Sequence, residues 1–406
     1  MIYLLLLIAI ALIFARMLGY LIYRIKQPAV IGEIIAGILL GAVTVLLFSD
    51  KKYVIVDYVI ELPELTFHTP EFNLLAEIGI LFLLFISGLE TNIKQLKKTG
   101  KVSSFVALGG VIAPLVLGIL SGLLFGLSLE ISVIIGLILT ATSVGVTVRT
   151  LMDLNALNTE VGSTILGAAV IDDVIGIVLL AFALGIGSII DAVWIGLRIA
   201  IFFILFLYLG LKIIDKILDI SEKIHLPKAF LSITLSILLL YAFFADRAGI
   251  SGIIGAFVAG LLIGQNIKSR KIIDDIKTIG YGFFIPIFFV WVGTTLWEEQ
   301  MNWEPSSIVT IIIFSAVLIT VSIIGKVLGC GLAAKLSGLN NLESIQIGIG
   351  MIPRMELALI IVSAAISNGI ISGTIGTQLL ATTILLTITT TIITPILIKT
   401  TFKTQE

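Results

Sequence analysis

Long apolar runs alternate with short polar segments along the whole chain. Most runs reach the ~20 residues that an α-helix needs to cross the hydrocarbon core of a bilayer. The pattern predicts an all-α polytopic membrane protein whose consecutive spans are joined by short loops. Thirteen transmembrane helices are expected, over residues 2–23, 28–48, 73–90, 103–126, 130–150, 161–187, 192–213, 229–246, 249–266, 279–297, 306–335, 343–366 and 374–398.

Composition agrees with this class and excludes a soluble protein. Hydrophobic residues make up 58% of the 406 residues and charged residues 13%, whereas a soluble domain carries roughly 25% charged residues. A single cysteine, Cys330, excludes a disulfide within the chain. The sizeable loop 49–72 contains VIVDYVIEL, which fits either a short hairpin or an amphipathic helix on the membrane surface.

Positive charge falls on alternate loops, which predicts the orientation. By the positive-inside rule the loops rich in lysine and arginine are cytoplasmic. The N-terminus is then outside, the C-terminus is cytoplasmic and the protein is a multi-pass protein of the cell membrane. The basic loops contain Arg24, Lys26, Lys94, Lys97, Lys98, Lys101, Arg149, Lys212, Lys216, Lys223, Lys228, Lys268, Arg270, Lys271, Lys277, Lys335, Lys399 and Lys403, against Lys51, Lys52 and Arg247 on the other side.

An internal repeat relates the two halves of the chain. VIGEIIAGILLG at 30–41 aligns with IIGAFVAGLLIG at 253–264, and FLLFISG at 82–88 aligns more weakly with IFFVWVG at 287–293. Span 2 runs outward and span 9 inward, so the two copies have inverted topology. Inverted repeats are typical of secondary transporters, whose substrate site lies near the midplane where the repeats meet.

Spans 5 and 12 carry helix-weakening and polar residues at corresponding positions of the two repeats. Span 12 has Pro353 preceded by Gly348 and Gly350, and proline and glycine weaken a helix there. Two discontinuous helices are therefore predicted, although kinked continuous helices with small packing residues would give a similar pattern. The residues expected to line the site are Thr140, Thr142, Ser143, Gly145, Gly350 and Pro353.

Charged residues deep inside spans point to the chemistry. Asp172 and Asp173 are adjacent in span 6, where a carboxylate costs about 2.5–3.5 kcal/mol at the bilayer centre and usually marks an ion or proton path. Adjacent helical residues point about 100° apart, so one aspartate can hold Lys326 of span 11 while the other faces a water-filled cavity. Alternatively, Lys326 could extend to the cytoplasmic surface.

Three further charged residues are assigned to structure rather than to ion binding. Arg354 and Glu356 flank the predicted break of span 12. They are expected to pair with each other or with charged residues of other helices, Glu77 among them. These ion pairs would hold the interrupted region in shape.

The motifs together resemble a known family. LAEIGILFLLFISGLE, TSVGVTVRTL, LGAAVIDDVIGIVLL, GKVLGCGLAA and MIPRMELALI occur in this order, and the whole chain is similar to the second cation:proton antiporter family, within the sodium/proton antiporters. The resemblance implies a homodimer in which the unwound spans 5 and 12 cross beside the aspartates, Asp173 binds Na⁺ or a proton, and Asp172 pairs with Lys326. We expect Thr142 and Ser143 to bind Na⁺ together with Asp173. It also implies a dimer domain (1–101 and 218–300), a mobile core transport domain (102–187 and 301–406) and a linker helix (188–217).

The predicted function is antiport of Na⁺, or Li⁺, against H⁺ by elevator-type alternating access. Two protons per cation would make the exchange electrogenic. The alternatives are a potassium/proton antiporter of the same family and a sodium-coupled organic solute symporter of the same architecture. We expect no enzymatic activity, no cofactor, and no nucleotide or nucleic-acid partner; the expected partners are Na⁺, H⁺, the lipid bilayer and a second copy of the chain.

Overall fold

The computed structural model describes residues 2–48, 52–55, 58–61, 66–183, 189–224, 226–266, 269, 271–297 and 305–402. The first eight helices are α1 (Ile2–Arg24), α2 (Ala29–Phe48), α3 (Pro70–Glu90), α4 (Ile93–Leu124), α5 (Leu129–Thr140), α6 (Val144–Asp153), α7 (Glu160–Ala183) and α8 (Ile189–Lys223). The next eight are α9 (Ala229–Arg247), α10 (Gly252–Gly264), α11 (Ile273–Ile279), α12 (Ile285–Thr294), α13 (Pro305–Leu336), α14 (Asn341–Gly350), α15 (Glu356–Ser367) and α16 (Gly373–Phe402).

The predicted polytopic helical class is confirmed. Within the described ranges, 11 helical stretches are long and apolar enough to cross a membrane, and Gly252–Gly264 and Leu357–Ser367 are shorter apolar helices. The count of thirteen spans stays a prediction. Several predicted spans have different limits in the structure. The largest differences include α4, which begins ten residues before predicted residue 103, and α8, which ends ten residues after predicted residue 213; α10 is shorter than predicted span 9.

The loop between α2 and α3 contains the one departure from an all-α chain that the described residues show. Strands β1 (Lys52–Ile55) and β2 (Tyr58–Glu61) pair antiparallel, with Lys52 opposite Glu61 and Ile55 opposite Tyr58. Of the two structures that the sequence allowed for this stretch, the hairpin is therefore the one that forms.

Spans 5 and 12 are each divided into two helices, as predicted. In span 5, α5 ends at Thr140 and α6 begins at Val144. In span 12, α14 ends at Gly350 and α15 begins at Glu356. An asparagine capping box starts α14, because Asn340 accepts from the Glu343 backbone N–H while the Glu343 carboxylate accepts from the Asn340 N–H.

The chain forms two compact units. One comprises residues 1–82 and 278–302, and the other comprises residues 83–277 and 303–406. In the first unit α1, α2, α3 and α12 share a core around Leu7, Ala11, Leu40, Phe72 and Val290. The second unit contains both broken spans together with Asp172, Asp173 and Lys326. The predicted dimer, core and linker domains concern motion and association, and stay predictions.

Glycine contacts in the two halves match what an inverted repeat requires. The sequence alignment equates Gly37 with Gly260 and Gly88 with Gly293. In the structure Gly37 packs against Gly293, and Gly260 packs against Gly88, so closely that a Cβ on any of the four would overlap a facing carbonyl oxygen. The repeat operation converts one contact into the other, which supports the predicted inverted repeat.

The contact between α4 and α13 has the same symmetry. Cβ atoms at Gly109 and Gly329 would each overlap the other residue's carbonyl oxygen. Four residues further along each helix, Ala113 lies near Gly329 and Ala333 lies near Gly109. Small residues at this spacing let helix backbones approach closely in a membrane, and the two long helices of the second unit cross on this pattern.

This crossing predicts a specific loss of stability. Gly109→Ala should lower the free energy of unfolding by about 1–3 kcal/mol, because the added methyl group meets backbone that cannot rotate away. The matched control is Gly100→Ala in the same helix, where a Cβ has open space; it should be neutral or stabilise by up to ~1 kcal/mol. Thermal unfolding of the purified variants in detergent measures both. Equal melting temperatures for the two variants would contradict the predicted contact.

Candidate functional site

Helix α7 carries the two aspartates and is held against α4 by small residues. The Ser103 hydroxyl donates to the Thr164 carbonyl oxygen at 3.1 Å, and Gly167 leaves room for Ser103. This close approach fixes the helix five to eight residues before Asp172. Asp172 is 2% exposed, whereas Asp173 is only partly buried.

The structure pairs Lys326 with Asp172. Lys326 Nζ lies 3.2 Å from one carboxylate oxygen of Asp172 and 3.3 Å from the other. The lysine is fully buried, so it does not extend to the cytoplasmic surface. Burial removes the hydrating water from both charged groups, which costs free energy. Only direct contact between the two charges, as here, gives a Coulombic attraction that offsets this desolvation cost.

Helix α4 provides the space for the lysine. A Cβ at Gly110 would lie 2.5 Å from Cys330 Sγ and 3.4 Å from Lys326 Nζ. Gly110 follows Gly109, the residue of the close α4–α13 crossing. The pair of glycines therefore brings α13 close and leaves a passage for its lysine side chain.

The two breaks contact each other directly. The Ser143 backbone N–H donates to the Pro353 carbonyl oxygen at 2.8 Å, and the Thr147 hydroxyl donates to the Gly350 carbonyl oxygen at 2.7 Å. Unwound backbone at membrane depth must find partners inside the protein. The start of α6 and the end of α14 supply these partners to each other, so the discontinuous helices cross as predicted.

Arg354 lies at this crossing and donates hydrogen bonds to backbone carbonyl oxygens of both broken spans. Its Nη2 donates to the Leu139 carbonyl oxygen at 2.7 Å, and its Nη1 donates to the carbonyl oxygens of Met351 and Ile352. Leu139 is in the last turn of α5, and Met351 directly follows α14. Because helix C-termini carry partial negative charge, one buried guanidinium compensates both.

Helix α16 holds the unwound segment of span 12 from the other side. The Arg354 backbone N–H donates to the Thr390 hydroxyl at 3.1 Å, and the Thr391 hydroxyl donates to the Arg354 carbonyl oxygen at 3.2 Å. Both threonines are fully buried. Neither Thr390 nor Thr391 was among the predicted site residues; the run TITTTIIT within an apolar span was the available signal.

The predicted hydroxyl-bearing residues line the break of span 5. Thr140, Thr142 and Ser143 are 2–5% exposed, and buried Gly145 lies in the first turn of α6. The Thr140 hydroxyl donates to the Leu137 carbonyl oxygen at 2.7 Å. The Ser143 hydroxyl is buried without a hydrogen-bond partner among the described residues. An oxygen in this condition is suited to contact a cation.

The other two residues assigned to structural ion pairs are not brought into this site. Glu77 is exposed on α3 and has no ion pair within the part of the chain that the structure describes. Glu356 begins α15, but its side chain lies outside the described residues. A pair between Arg354 and Glu356 therefore stays a prediction.

The comparison with protein-family models decides the family. Residues 5–404 match the sodium/hydrogen exchanger transmembrane family. The chain belongs to the sodium/hydrogen exchanger family. The members of this family are transporters, so the chain is a transporter and not an enzyme.

Two bacterial antiporters are similar in sequence to the chain over most of their length. The chain is 34% identical over 367 residues to the Na⁺/H⁺-K⁺ antiporter GerN of Bacillus cereus. This alignment covers 90% of the chain and 88% of GerN. It is also 34% identical over 343 residues to an Na⁺/H⁺ antiporter of Enterococcus hirae, with 83% of each chain covered.

A solved structure shares the fold of the exchanger chain. The sodium proton antiporter MjNhaP1 of Methanocaldococcus jannaschii superposes with a TM-score of 0.61, and the match covers 99% of this chain and 97% of that chain. The sequence identity is 16%, so this likeness shows the common fold alone.

The buried charge pair predicts non-additive mutant stabilities. Lys326→Met should destabilise strongly, by about 3–5 kcal/mol, because it leaves Asp172 buried without its counter-charge. The double variant Asp172→Asn/Lys326→Met should recover a large part of this loss, a coupling that a double-mutant cycle of melting temperatures measures. Lys335→Met, at an exposed position of the same helix, is the control. Additive effects of the two substitutions would contradict the pairing.

Proposed function

We propose that the protein exchanges Na⁺ for H⁺ across the cell membrane. The observation that carries the proposal is the buried Lys326–Asp172 pair next to a partly exposed Asp173, in a chain of the sodium/hydrogen exchanger family. The names of the relatives support Na⁺ and H⁺ as the transported ions. They give no support to a sodium-coupled organic solute symporter.

In this proposal Asp173 is the carboxylate for which Na⁺ and protons compete. The hydroxyls of Ser143 and Thr142, together with carbonyl oxygens at the crossing, complete the coordination of the cation. Oxygen ligands suit a hard cation. Li⁺ would bind to the same ligands. The Asp173 carboxylate can hold a cation or a proton but not both, and this competition couples the flux of the cation to the flux of protons.

Asp172 and Lys326 have a separate role in the proposal. When Na⁺ binds at Asp173, the added positive charge weakens the hold of the neighbouring carboxylate on Lys326, and the lysine can release a proton. Two protons then exchange for one cation, and each cycle moves net charge. The orientation with the N-terminus outside is part of the proposal and is supported by the placement of lysine and arginine residues. Elevator-type alternating access and a homodimer complete the proposal; the inverted repeat supports alternating access.

Antiport predicts that Na⁺ collapses a proton gradient. In everted membrane vesicles with a respiratory pH gradient, added Na⁺ should dissipate the gradient, and Asp173→Asn should abolish this response because the site loses its charge. Asp246→Asn, at an exposed position outside the site, should transport normally. If neither Na⁺ nor Li⁺ changes the gradient between pH 6 and 9, the proposal fails; a response to K⁺ alone would indicate the potassium/proton alternative.

Electrogenic exchange predicts a loss of current without a loss of exchange in Lys326→Ala. On solid-supported membranes the Na⁺-induced transient current should fall strongly in this variant, because only one proton remains per cation. Uptake of ²²Na⁺ into proteoliposomes from the same preparation shows that the variant is folded and still exchanges. A current per transported Na⁺ equal to that of the unmodified protein would rule out the lysine as a proton carrier.

A further inference from the structure

The first turns of α4 extend beyond the part of the helix that lies in the membrane. The helix has 32 residues and is therefore about 48 Å long at 1.5 Å per residue, whereas the hydrocarbon core is about 30 Å thick. The apolar part of α4 is predicted from residue 103 onward, so residues 93–101 fall at the level of the lipid headgroups.

Four lysines form one exposed stripe on this extension. Lys94, Lys97, Lys98 and Lys101 are all exposed, and the spacing i, i+3, i+4, i+7 places them on one helix face. The opposite face is packed: Thr99 and Ser103 are 1% exposed. We call the four residues the lysine stripe.

The stripe is unfavourable for the helix itself. Two pairs of lysines, Lys94 with Lys98 and Lys97 with Lys101, place the same charge four residues apart. Such pairs destabilise a helix. Cations near a helix N-terminus are also disfavoured by the helix dipole. The ion pair recorded for the stripe within the described ranges is Lys98–Glu160 at 3.7 Å, with both side chains largely exposed (67% and 45%), and such surface pairs contribute little.

We propose that the lysine stripe binds the phosphate groups of anionic phospholipids. Clusters of four or more basic residues directly beside a transmembrane helix are the usual sequence form of such sites. From Lys94 to Lys101 the stripe rises about 10 Å, enough to cover a headgroup layer of about 5–8 Å.

A comparison within the chain separates this proposal from the general excess of lysine on one side of the membrane. The C-terminal part of α8 has exposed Lys212 and Lys216, but exposed Asp215 and Asp219 lie between and after them. That segment satisfies the positive-inside rule with balanced charge. The stripe on α4 concentrates charge of one sign on one face, which orientation alone does not require.

The bound lipid would contact α4, the helix that packs against the aspartate-bearing α7. Leu96 and Ser103, on the packed side of α4, lie against Gly167 of α7, five residues before Asp172. An anionic lipid on the stripe would therefore bind the outer face of α4, whose inner face packs against α7 next to the proposed ion site. The binding itself does not depend on which cation the protein transports.

The test is a lipid titration of the purified protein in a neutral detergent. Dioctanoyl-phosphatidylglycerol is added stepwise, and the concentration that gives half of the maximal rise in melting temperature is measured. With Lys94→Gln, Lys97→Gln, Lys98→Gln and Lys101→Gln combined, this concentration should increase on the order of 10²-fold or more. The same four positions changed to arginine should retain the affinity, and Lys212→Gln/Lys216→Gln is the control for general loss of charge.

Each outcome bears on the proposal. Support consists of stabilisation by phosphatidylglycerol that depends on the stripe, is weakened by 0.5 M NaCl and is absent with dioctanoyl-phosphatidylcholine. The proposal is overturned if the glutamine variant responds like the unmodified protein, if phosphatidylcholine is equally effective, or if inorganic phosphate stabilises as well as the lipid. Should the glutamine variant fail to fold, the salt dependence of the unmodified protein and the arginine variant still decide.

Discussion

The site depends on the requirement that every backbone polar group at membrane depth has a partner. Lipid offers no hydrogen bonds, so an unwound segment is tolerated only where the protein supplies them. Two helices interrupted at the same place meet this requirement mutually: the Ser143 N–H donates to the Pro353 carbonyl oxygen, and the Thr147 hydroxyl donates to the Gly350 carbonyl oxygen. Either break alone would leave several groups unsatisfied, each costing several kcal/mol. The two broken helices are thus a single structural unit.

The charges near the crossing are positioned by close backbone packing. Gly109 and Gly329 let α4 and α13 touch, and Gly110 leaves the passage through which Lys326 reaches Asp172. A buried ion pair is favourable only when its geometry is held rigidly, and glycine-mediated contacts supply rigidity without bulk. Asp173, next along α7, remains partly exposed. The helix periodicity thus gives two identical side chains different surroundings: Asp172 pairs with a buried lysine, and Asp173 stays partly exposed.

The features that depend on the type and spacing of residues could be predicted from the sequence. Apolar runs predicted the helices, Pro353 and its neighbouring glycines predicted the break in span 12, and an isolated buried lysine with two aspartates predicted an ion pair. The partners of Arg354 could not be predicted in this way. A carbonyl oxygen exists at every residue, so no residue type marks Leu139 or Met351 as an acceptor, and only the folded backbone shows them. The same limit applies to Thr390 and Thr391, whose usual bonds to the preceding turn of their own helix give similar sequences.

The two buried cations differ in a way that matches their partners. An arginine side chain keeps its charge under all accessible conditions, whereas a buried lysine can lose its proton. Arg354 bonds to carbonyl oxygens at two helix ends, groups whose partial charge does not vary with pH or with the bound ion. Lys326 bonds to a carboxylate, whose charge and hydrogen bonding can both change. The permanent charge thus compensates a permanent dipole, and the titratable charge faces a titratable group. A lysine at position 354 would preserve the formal charge but not the planar guanidinium that reaches carbonyl oxygens at both helix ends. The two residues are therefore not interchangeable, although both are buried cations of the same unit.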